Sequence, residues 1–458
     1  MRRSFRRQPR VAGSPRPTDA LTVATAPTGF TDAWEQLVGP TWQPEVPRRR
    51  GRTPRVPLRQ LLPTLTFHVM QGAGTLAEHL RQLFDVNLAD SSWSDRRTRL
   101  PWEIFADLMR RALRPHATRR RQREAFWRGW RLVAIDGTQY SLLNTPAITA
   151  RTTKARTRRG RAAFAKMTTG VLLELGLHNP LAAAIGRQGE SEWALAPQLL
   201  AALPRRALLL GDRMYGVGAF VVHVLAACQQ VGSHCLLRTR RDIKPQVIDR
   251  LADGSRRIRV AVRQPDRPAR IRQWVDLREI RALVGRPGHR AHELRLWTTL
   301  MDVETAPARE LVQLYAARWE HELYFRELKC QLRTTDVLQS HTVETAAQEI
   351  AALILASALL ARERARAAAG HGPVLRVSFV KVLALVQPLW LMLGVFGHFV
   401  SDRQKTQMAT WVYQQLGECL TAPRRARSCP RAVRQPMQQW PRVLRPQAVK
   451  GPVQFEIV

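Results

Sequence analysis

Acidic side chains are what this sequence is short of: 36 Asp and Glu stand against 73 Lys and Arg, giving a formal net charge of +37 and a pI near 11.6. So large an imbalance argues against a chain that stays free among cellular polyanions. It favours a nucleic-acid partner, bound through counterion release, ahead of an anionic membrane surface. A coding bias toward arginine accounts for part of the excess, but not for a positive segment at each end. Cysteine is scarce as well. Cys228, Cys235, Cys330, Cys419 and Cys429 are scattered and form no CxxC pair, which argues against a disulfide framework or zinc ribbon and for a reducing cytosol. His289 and His292 have no further thiol or histidine pair at zinc spacing, so a solvated loop is expected there. The opening MRRSFRRQPR lacks the apolar segment that a signal peptide needs. Long hydrophobic runs are missing except for Val382 to Val400, and the internal Pro388 makes that run read as a pair of buried core helices rather than a bilayer span. No membrane partner is expected, and the expected compartment is the cytoplasm, in association with the nucleoid.

A chain of 458 residues exceeds one ordinary core, so roughly two to four domains are expected. Residues 1–60, rich in Arg, Pro, Gly and Thr, read as a disordered basic arm. Helical periodicity begins at Leu61 with LLPTLTFHVMQGAGTLAEHLRQLF and resumes in PWEIFADLMRRAL. Residues 61–124 therefore read as a helical N-terminal domain, either for DNA binding or as a cap on the next domain. The middle reads strand, strand, strand, helix, strand, helix, strand. WRLVAIDGTQY, KMTTGVLLELGL, PLAAAIGRQG, ALLLGDRMYG and SHCLLRTR are the strands; SEWALAPQLLAAL and GAFVVHVLAACQQVG are the helices. That order predicts an α/β fold, a mixed sheet flanked by helices. Residues 241–305 alternate at period two and read as a β-rich insertion with arginines outward, dividing the core into 125–240 and 306–370. Residues 371–458 read as a helical C-terminal region with a basic tail.

Each of two strands is expected to finish on an aspartate, Asp136 and Asp212, at a sheet edge where loops open a cleft. Hard divalent cations take oxygen ligands, and two of them about 3.5–4 Å apart promote in-line displacement at a phosphodiester. Such chemistry needs a third acid. Glu322 is the candidate, in YAARWEHELYFRELK from Tyr315 to Lys329. At roughly 100° per residue, Tyr315, Arg318, Glu322 and Lys329 share a stripe about 60° wide. Glu322 with Arg318 or Arg326 also reads as an ordinary surface pair; the two strand-end aspartates favour the catalytic reading. Asp276 and Asp302, inside the insertion, and Glu320 and Glu327, more than about 100° off the stripe, are set aside.

These residues resemble a known pattern. Tyr315, Arg318, Glu322 and Lys329, separated by two, three and six residues, match the Y-R-E-K signature of cut-and-paste insertion-element transposases of the insertion-sequence-four type. LVAIDGTQY and LLLGDRMYG are similar to that family's first and second catalytic-aspartate segments, and the resemblance runs from about Leu61 to Gln339. It implies an RNase H-like core in which Asp136, Asp212 and Glu322 bind two Mg²⁺ or Mn²⁺ ions, cleave element ends and join the 3′ ends to target DNA. It also implies double-stranded DNA with terminal inverted repeats as partner, and a second copy of the chain in a synaptic dimer. By the same resemblance Tyr315, Arg318 and Lys329 hold terminal phosphates, Arg213 and Tyr215 contact DNA or brace the site, and Trp297 or Trp274 stacks a flipped base. An aromatic in an alternating strand also reads as core packing. The alternatives are a metal-dependent nuclease without strand transfer, which needs the acids but not Tyr315 or Lys329, and an inactive DNA-binding remnant.

Overall fold

The computed structural model describes residues 29–44, 56–157, 160–263, 270–285, 291–333, 335–422 and 454–457. Most of the expected basic arm and tail, with His289 and Cys429, lies outside them.

Five helices come first: α1 (Phe30–Val38), α2 (Leu58–His68), α3 (Leu76–Phe84), α4 (Asp90–Thr98) and α5 (Trp102–Ala112). The first corrects the expectation of an arm reaching residue 60. Phe30 lies 5.0 Å from the Phe67 ring and 5.6 Å from Trp390, so the short segment FTDAWEQLV is fixed by tertiary burial that its Pro- and Arg-rich surroundings conceal.

The centre is a mixed sheet. Its strands are β1 (Trp130–Ser141), β2 (Lys166–Glu174), β3 (Asn179–Ile185), β4 (Ala207–Gly216) and β5 (His234–Thr239), with α6 (Glu192–Leu200) before β4 and α7 (Gly218–Gln230) before β5. The spatial order is β3-β2-β1-β4-β5. β2 runs antiparallel to its neighbours, while β1, β4 and β5 are parallel. This is the RNase H-like arrangement that the resemblance implied. The strands are apolar on both faces because both are covered. Leu132, Ala134, Leu208 and Leu210 join the core under the outer helices, whereas Val133, Ile135 and Leu209 pack beneath α6 and α7.

The β-rich insertion does not form a sheet of its own. β6 (Gln246–Arg250), β7 (Arg256–Arg263), β8 (Ile271–Gly285) and β9 (His292–Thr298) continue the central sheet, with β9 antiparallel to β5 through Trp297 and Leu237. One buried arginine ties this extension to the helices on its C-terminal side. Arg278, fully buried, donates to Ser255 Oγ at 2.8 Å and to the carbonyls of Leu300 and Ala306 at 3.1 and 2.7 Å. It also pairs with Asp253, whose Oδ2 accepts the Ala308 N–H at 2.8 Å. Ala308 opens α8 (Ala308–Tyr315), and α9 (Trp319–Arg326) comes next.

The remaining helices are α10 (Val343–Ala367), α11 (Phe379–Phe396) and α12 (Asp402–Glu418), and a last strand, β10 (Gln454–Ile457), pairs with β8. Phe30, Phe105, Leu353 and Trp390 belong to one core, so the N- and C-terminal helices form a common layer on the sheet. The run around Pro388 is one continuous helix, not the buried pair expected, and it leaves Met392 and Phe396 exposed. Pro388 itself faces solvent, where water can satisfy the carbonyl that proline leaves without a donor. By length and composition α10 and Phe379–Phe399 could each cross a bilayer; α10, however, is the protein's own core helix, with 89% of its apolar window buried.

Candidate active site

Parallel pairing of β1 with β4 ends at Ile135 and Gly211. The next residues are Asp136 and Asp212. Neither strand stops there, contrary to expectation: β1 runs on to Ser141, held by β2, and β4 reaches Gly216 through an irregularity in its pairing with β5. The two aspartates therefore stand at a fork where neighbouring strands, about 4.8 Å apart while paired, begin to separate. A crevice at the carboxyl ends of parallel strands is where open α/β sheets bind ligands. By alternation, Asp136 follows Ala134 and Asp212 follows Leu210, so both carboxyls lie on the face covered by α8 and α9.

The segment from Tyr315 to Lys329 is not one ideal helix. A 3-10 turn, Ala316–Arg318, separates α8 from α9, and a wide π-helical segment spans Glu327–Leu332, so the uniform stripe is redrawn, yet its members still meet the sheet. Tyr315 donates its hydroxyl to the Gly211 carbonyl at 3.1 Å. Arg318 places Nη1 3.0 Å from Asp136 Oδ2 and Nη2 3.7 Å from Glu322 Oε1. Lys329 Nζ donates to the Gln139 carbonyl at 2.9 Å and sits 5.2 Å from the centre of the Tyr140 ring. One guanidinium thus joins Asp136 to Glu322, beside the strand that carries Asp212. The Glu322 side chain is 46% exposed and that of Asp136 13%, which makes Glu322 the acid at the mouth and Asp136 the one at the floor.

The acids set aside have other partners. Glu320 accepts the Gly176 N–H at 2.6 Å, Glu327 is buried between His178 and Arg364, and Asp276 pairs with Arg259 on the outer strands. Asp302 accepts the Glu304 N–H.

Two further residues belong to the site and have no counterpart in the sequence expectation. Glu192, the first residue of α6, accepts the Tyr215 hydroxyl at 2.5 Å. An acid in the first turn of a helix ordinarily signals only the helix dipole, and only the topology carries this one to the fork. Arg238 of β5 stands near Tyr315, Arg318, Arg213 and Asp212, and burial lowers its pKa. Arg213 is exposed at the rim.

The electrostatics reflect this crowding. Burial pushes the Asp136 carboxyl up to about 7; Arg318 opposes that rise, and the negative charges of Glu192 and Asp212 add to it. Burial also raises Glu192, against the Tyr215 hydrogen bond and with Asp212. Burial raises the Tyr315 hydroxyl and lowers Lys329, the latter helped by Arg333 and Lys166.

Among the described residues, no three His, Cys, Asp or Glu side chains stand ready to share one ion; Arg318 occupies the space between Asp136 and Glu322. The donor set still suits a hard cation. It is all oxygen, and Asp136, Glu192 and Asp212 repel one another at the fork while Arg318 and Arg238 stand among them as counter-charges.

Trp297 corrects an expectation. It is fully buried, with its indole N–H 3.3 Å from Glu279 Oε1, so no ring face is open to a base, and it packs as core. Trp274 is 50% exposed on β8.

The chain is similar to proteins of known family. The transposase InsG for insertion sequence element IS4, from Escherichia coli (strain K12), is 27% identical over 234 residues, which cover 50% of this chain and 51% of that protein. The chain thus spans about half the length of this curated relative. A cryo-EM structure of a piggyBac transposase synaptic complex with hairpin DNA is a remote likeness, at a TM-score of 0.42 and 8% identity over 87% of this chain and 84% of that one. The family model described as a transposase DDE domain matches residues 127–359, a little over half of the 458 residues, and takes in both aspartates and the whole Tyr315-to-Lys329 segment. The chain belongs to the transposase DDE-domain family.

Proposed function

We propose that this chain is a transposase that binds the terminal inverted repeats of an insertion element, cleaves at its ends and joins the 3′ ends to target DNA. What supports the reading is Arg318, which reaches Asp136 with one nitrogen and Glu322 with the other, beside the point where β1 and β4 cease to pair and Asp212 follows. Two Mg²⁺ or Mn²⁺ ions held by these acids would activate the attacking water or 3′-hydroxyl and stabilise the leaving oxygen. The chain's own residues do the positioning. Tyr315, anchored on the Gly211 carbonyl, fixes α8 over β4. Arg318 balances the floor of the site until DNA and cations arrive, then is free to take a phosphate oxygen. Lys329, Arg213 and Arg238 line the approach with positive charge, which draws in the terminal strand. The protein acts as a homodimer on paired element ends, in the cytoplasm and on the nucleoid.

The test is cleavage of a labelled element end in Mg²⁺ by D136N, D212N and E322Q. Each is expected to fall to background while end binding persists. A variant that cuts at the wild-type rate removes its residue from the site. Wild-type cleavage without joining leaves a nuclease.

A further inference from the structure

The two acids that lie off the Tyr315-to-Lys329 stripe grip the same turn. Glu320 accepts the Gly176 N–H at 2.6 Å, and Glu327 Oε2 stands 2.7 Å from His178 Nδ1. Gly176 and His178 belong to the turn between β2 and β3. Seven residues bring a helix back to almost the same face, about 20° short of two turns, so both acids reach that turn from one side of the segment. Each stands two residues, roughly half a turn, before a residue of the site: Glu320 before Glu322 and Glu327 before Lys329. Holding one face against the turn therefore aims the other at the fork, where Glu322 pairs with Arg318 and Lys329 reaches the Gln139 carbonyl.

The grip at Glu327 is closed from both sides. Arg364 of α10 places Nη1 3.1 Å from Glu327 Oε1 and donates to the carbonyls of Val377 and Leu375 at 2.7 and 2.9 Å. Burial would raise the Glu327 carboxyl, but His178 and Arg364 hold it below its ordinary value, so the buried acid carries its charge. His178 is itself buried and takes a left-handed backbone, φ 58°, which a side chain keeps only where its surroundings enforce it. Glu327 is also the first residue of the π-helical segment, in which the Arg333 N–H reaches back five residues to the Leu328 carbonyl at 3.2 Å. Widened turns of this kind are rare and frequent at functional sites. A buried ion pair explains a helix fastened to the core. It does not explain an acid at the opening of the π segment, or the matching step of two residues to Glu322 and to Lys329.

We propose that Glu320 and Glu327 are positioning residues: by gripping the β2–β3 turn they aim Glu322 and Lys329, two residues further on, at the site. This rests on the reading of Glu322 as a cation ligand and of Lys329 as a phosphate contact. Glu327, clamped between His178 and Arg364, holds the π segment in place and with it the reach of Lys329. Glu320 does the same for Glu322.

The test compares E320A, E320Q, E327A, E327M/R364M and E327A/K329A with E322Q, K329A and wild type, as full-length proteins on a labelled element end. E327M/R364M removes both charges, which a buried pair tolerates better than the loss of one partner, and it decides the question if E327A unfolds. E327A and E327M/R364M should each lower the log–log salt slope of end binding by about 0.9, as K329A does, and E327A/K329A should lower it no further. E320A should slow single-turnover cleavage in Mg²⁺ by about 10- to 100-fold at an unchanged slope. E320Q, which keeps an acceptor for the Gly176 amide, should recover most of that rate. A merely structural role would shift the midpoint of urea unfolding and leave both the slope and its separation from the cleavage rate untouched. If K329A loses slope while E327M/R364M keeps the wild-type value, or if E322Q is inactive while E320A cleaves at the wild-type rate, the proposal is overturned and the transposase reading stands. If K329A and E322Q themselves behave like wild type, both fall.

Discussion

Replacing Asp136 by Asn in the metal-free protein should change how stability depends on pH. The Asp136 carboxyl is raised from 3.8 to about 7 in the folded state. A group raised on folding holds its proton more tightly in the native chain, so its favourable contribution is complete below pH 3.8 and is lost as pH climbs toward 7. The difference of 3.2 between 7 and 3.8 corresponds to about 4 kcal/mol of destabilisation once the group is ionised in both states. From the same two values, wild type loses about 1.5 kcal/mol by pH 5 and about 4 kcal/mol by pH 8, so the gap between D136N and wild type widens by roughly 2.5 kcal/mol over that interval. Freeing Arg318 from its partner adds an offset that does not vary over this range, so only the widening is diagnostic. The assay is urea unfolding of both proteins at pH 5 and pH 8, in chelator and then in Mg²⁺. Mg²⁺ should narrow the gap at pH 8 by stabilising wild type alone. A gap of constant size in chelator would mean that Asp136 does not sit in a buried, like-charged fork, and the electrostatic argument for a cation there would fail.

Three other outcomes are expected from the geometry. Arg278→Met should cost about 3–5 kcal/mol in urea unfolding, because it strands Asp253 and breaks the bonds to Leu300 and Ala306. Trp297→Ala should cost a similar 3–5 kcal/mol through cavity formation, whereas Trp274→Ala, on an exposed strand face, should shift unfolding by less than about 0.5 kcal/mol and is the variant to assay for DNA contact. Lys329→Ala should lower the salt dependence of end binding, its log–log slope falling by about 0.9, as expected for one lost phosphate contact; an unchanged slope would remove Lys329 from the DNA surface.

The sequence exposes the parts of this fold whose cause is local. β1 and β4 are legible because a strand covered on both faces must be apolar throughout, and Asp136 and Asp212 are conspicuous as the acids that interrupt those runs. Their setting at a fork rather than at strand ends is hidden, since it depends on which neighbour stops pairing first. Period-two alternation announces strands in 241–305 but not that β9 pairs with β5, so the insertion's union with the central sheet is invisible before folding. The same pattern does not say which face of β9 is covered, and for that reason it cannot distinguish a core Trp297 from a base-stacking one. Pro388 suggests a break that an outward-facing proline does not enforce. Glu192 offers only a commonplace signal, an acid opening a helix. The Tyr315-to-Lys329 segment is legible through its spacing, although the π segment means that the spacing works by a different geometry from a straight helix.

The Arg278 clamp bears on any attempt to recombine this protein with its relatives. Asp253 fastens both the extension's arginine and the first amide of α8, so the strands beyond β5 help set the angle at which α8 and α9 approach the aspartates. A graft that exchanges residues 246–298 without restoring the bonds from Arg278 to Leu300 and Ala306 and from Asp253 to Ala308 would leave Asp136, Asp212 and Glu322 in the chain and still misdirect Arg318 and Glu322. Catalytic competence in such hybrids would be decided at a position remote from the chemistry.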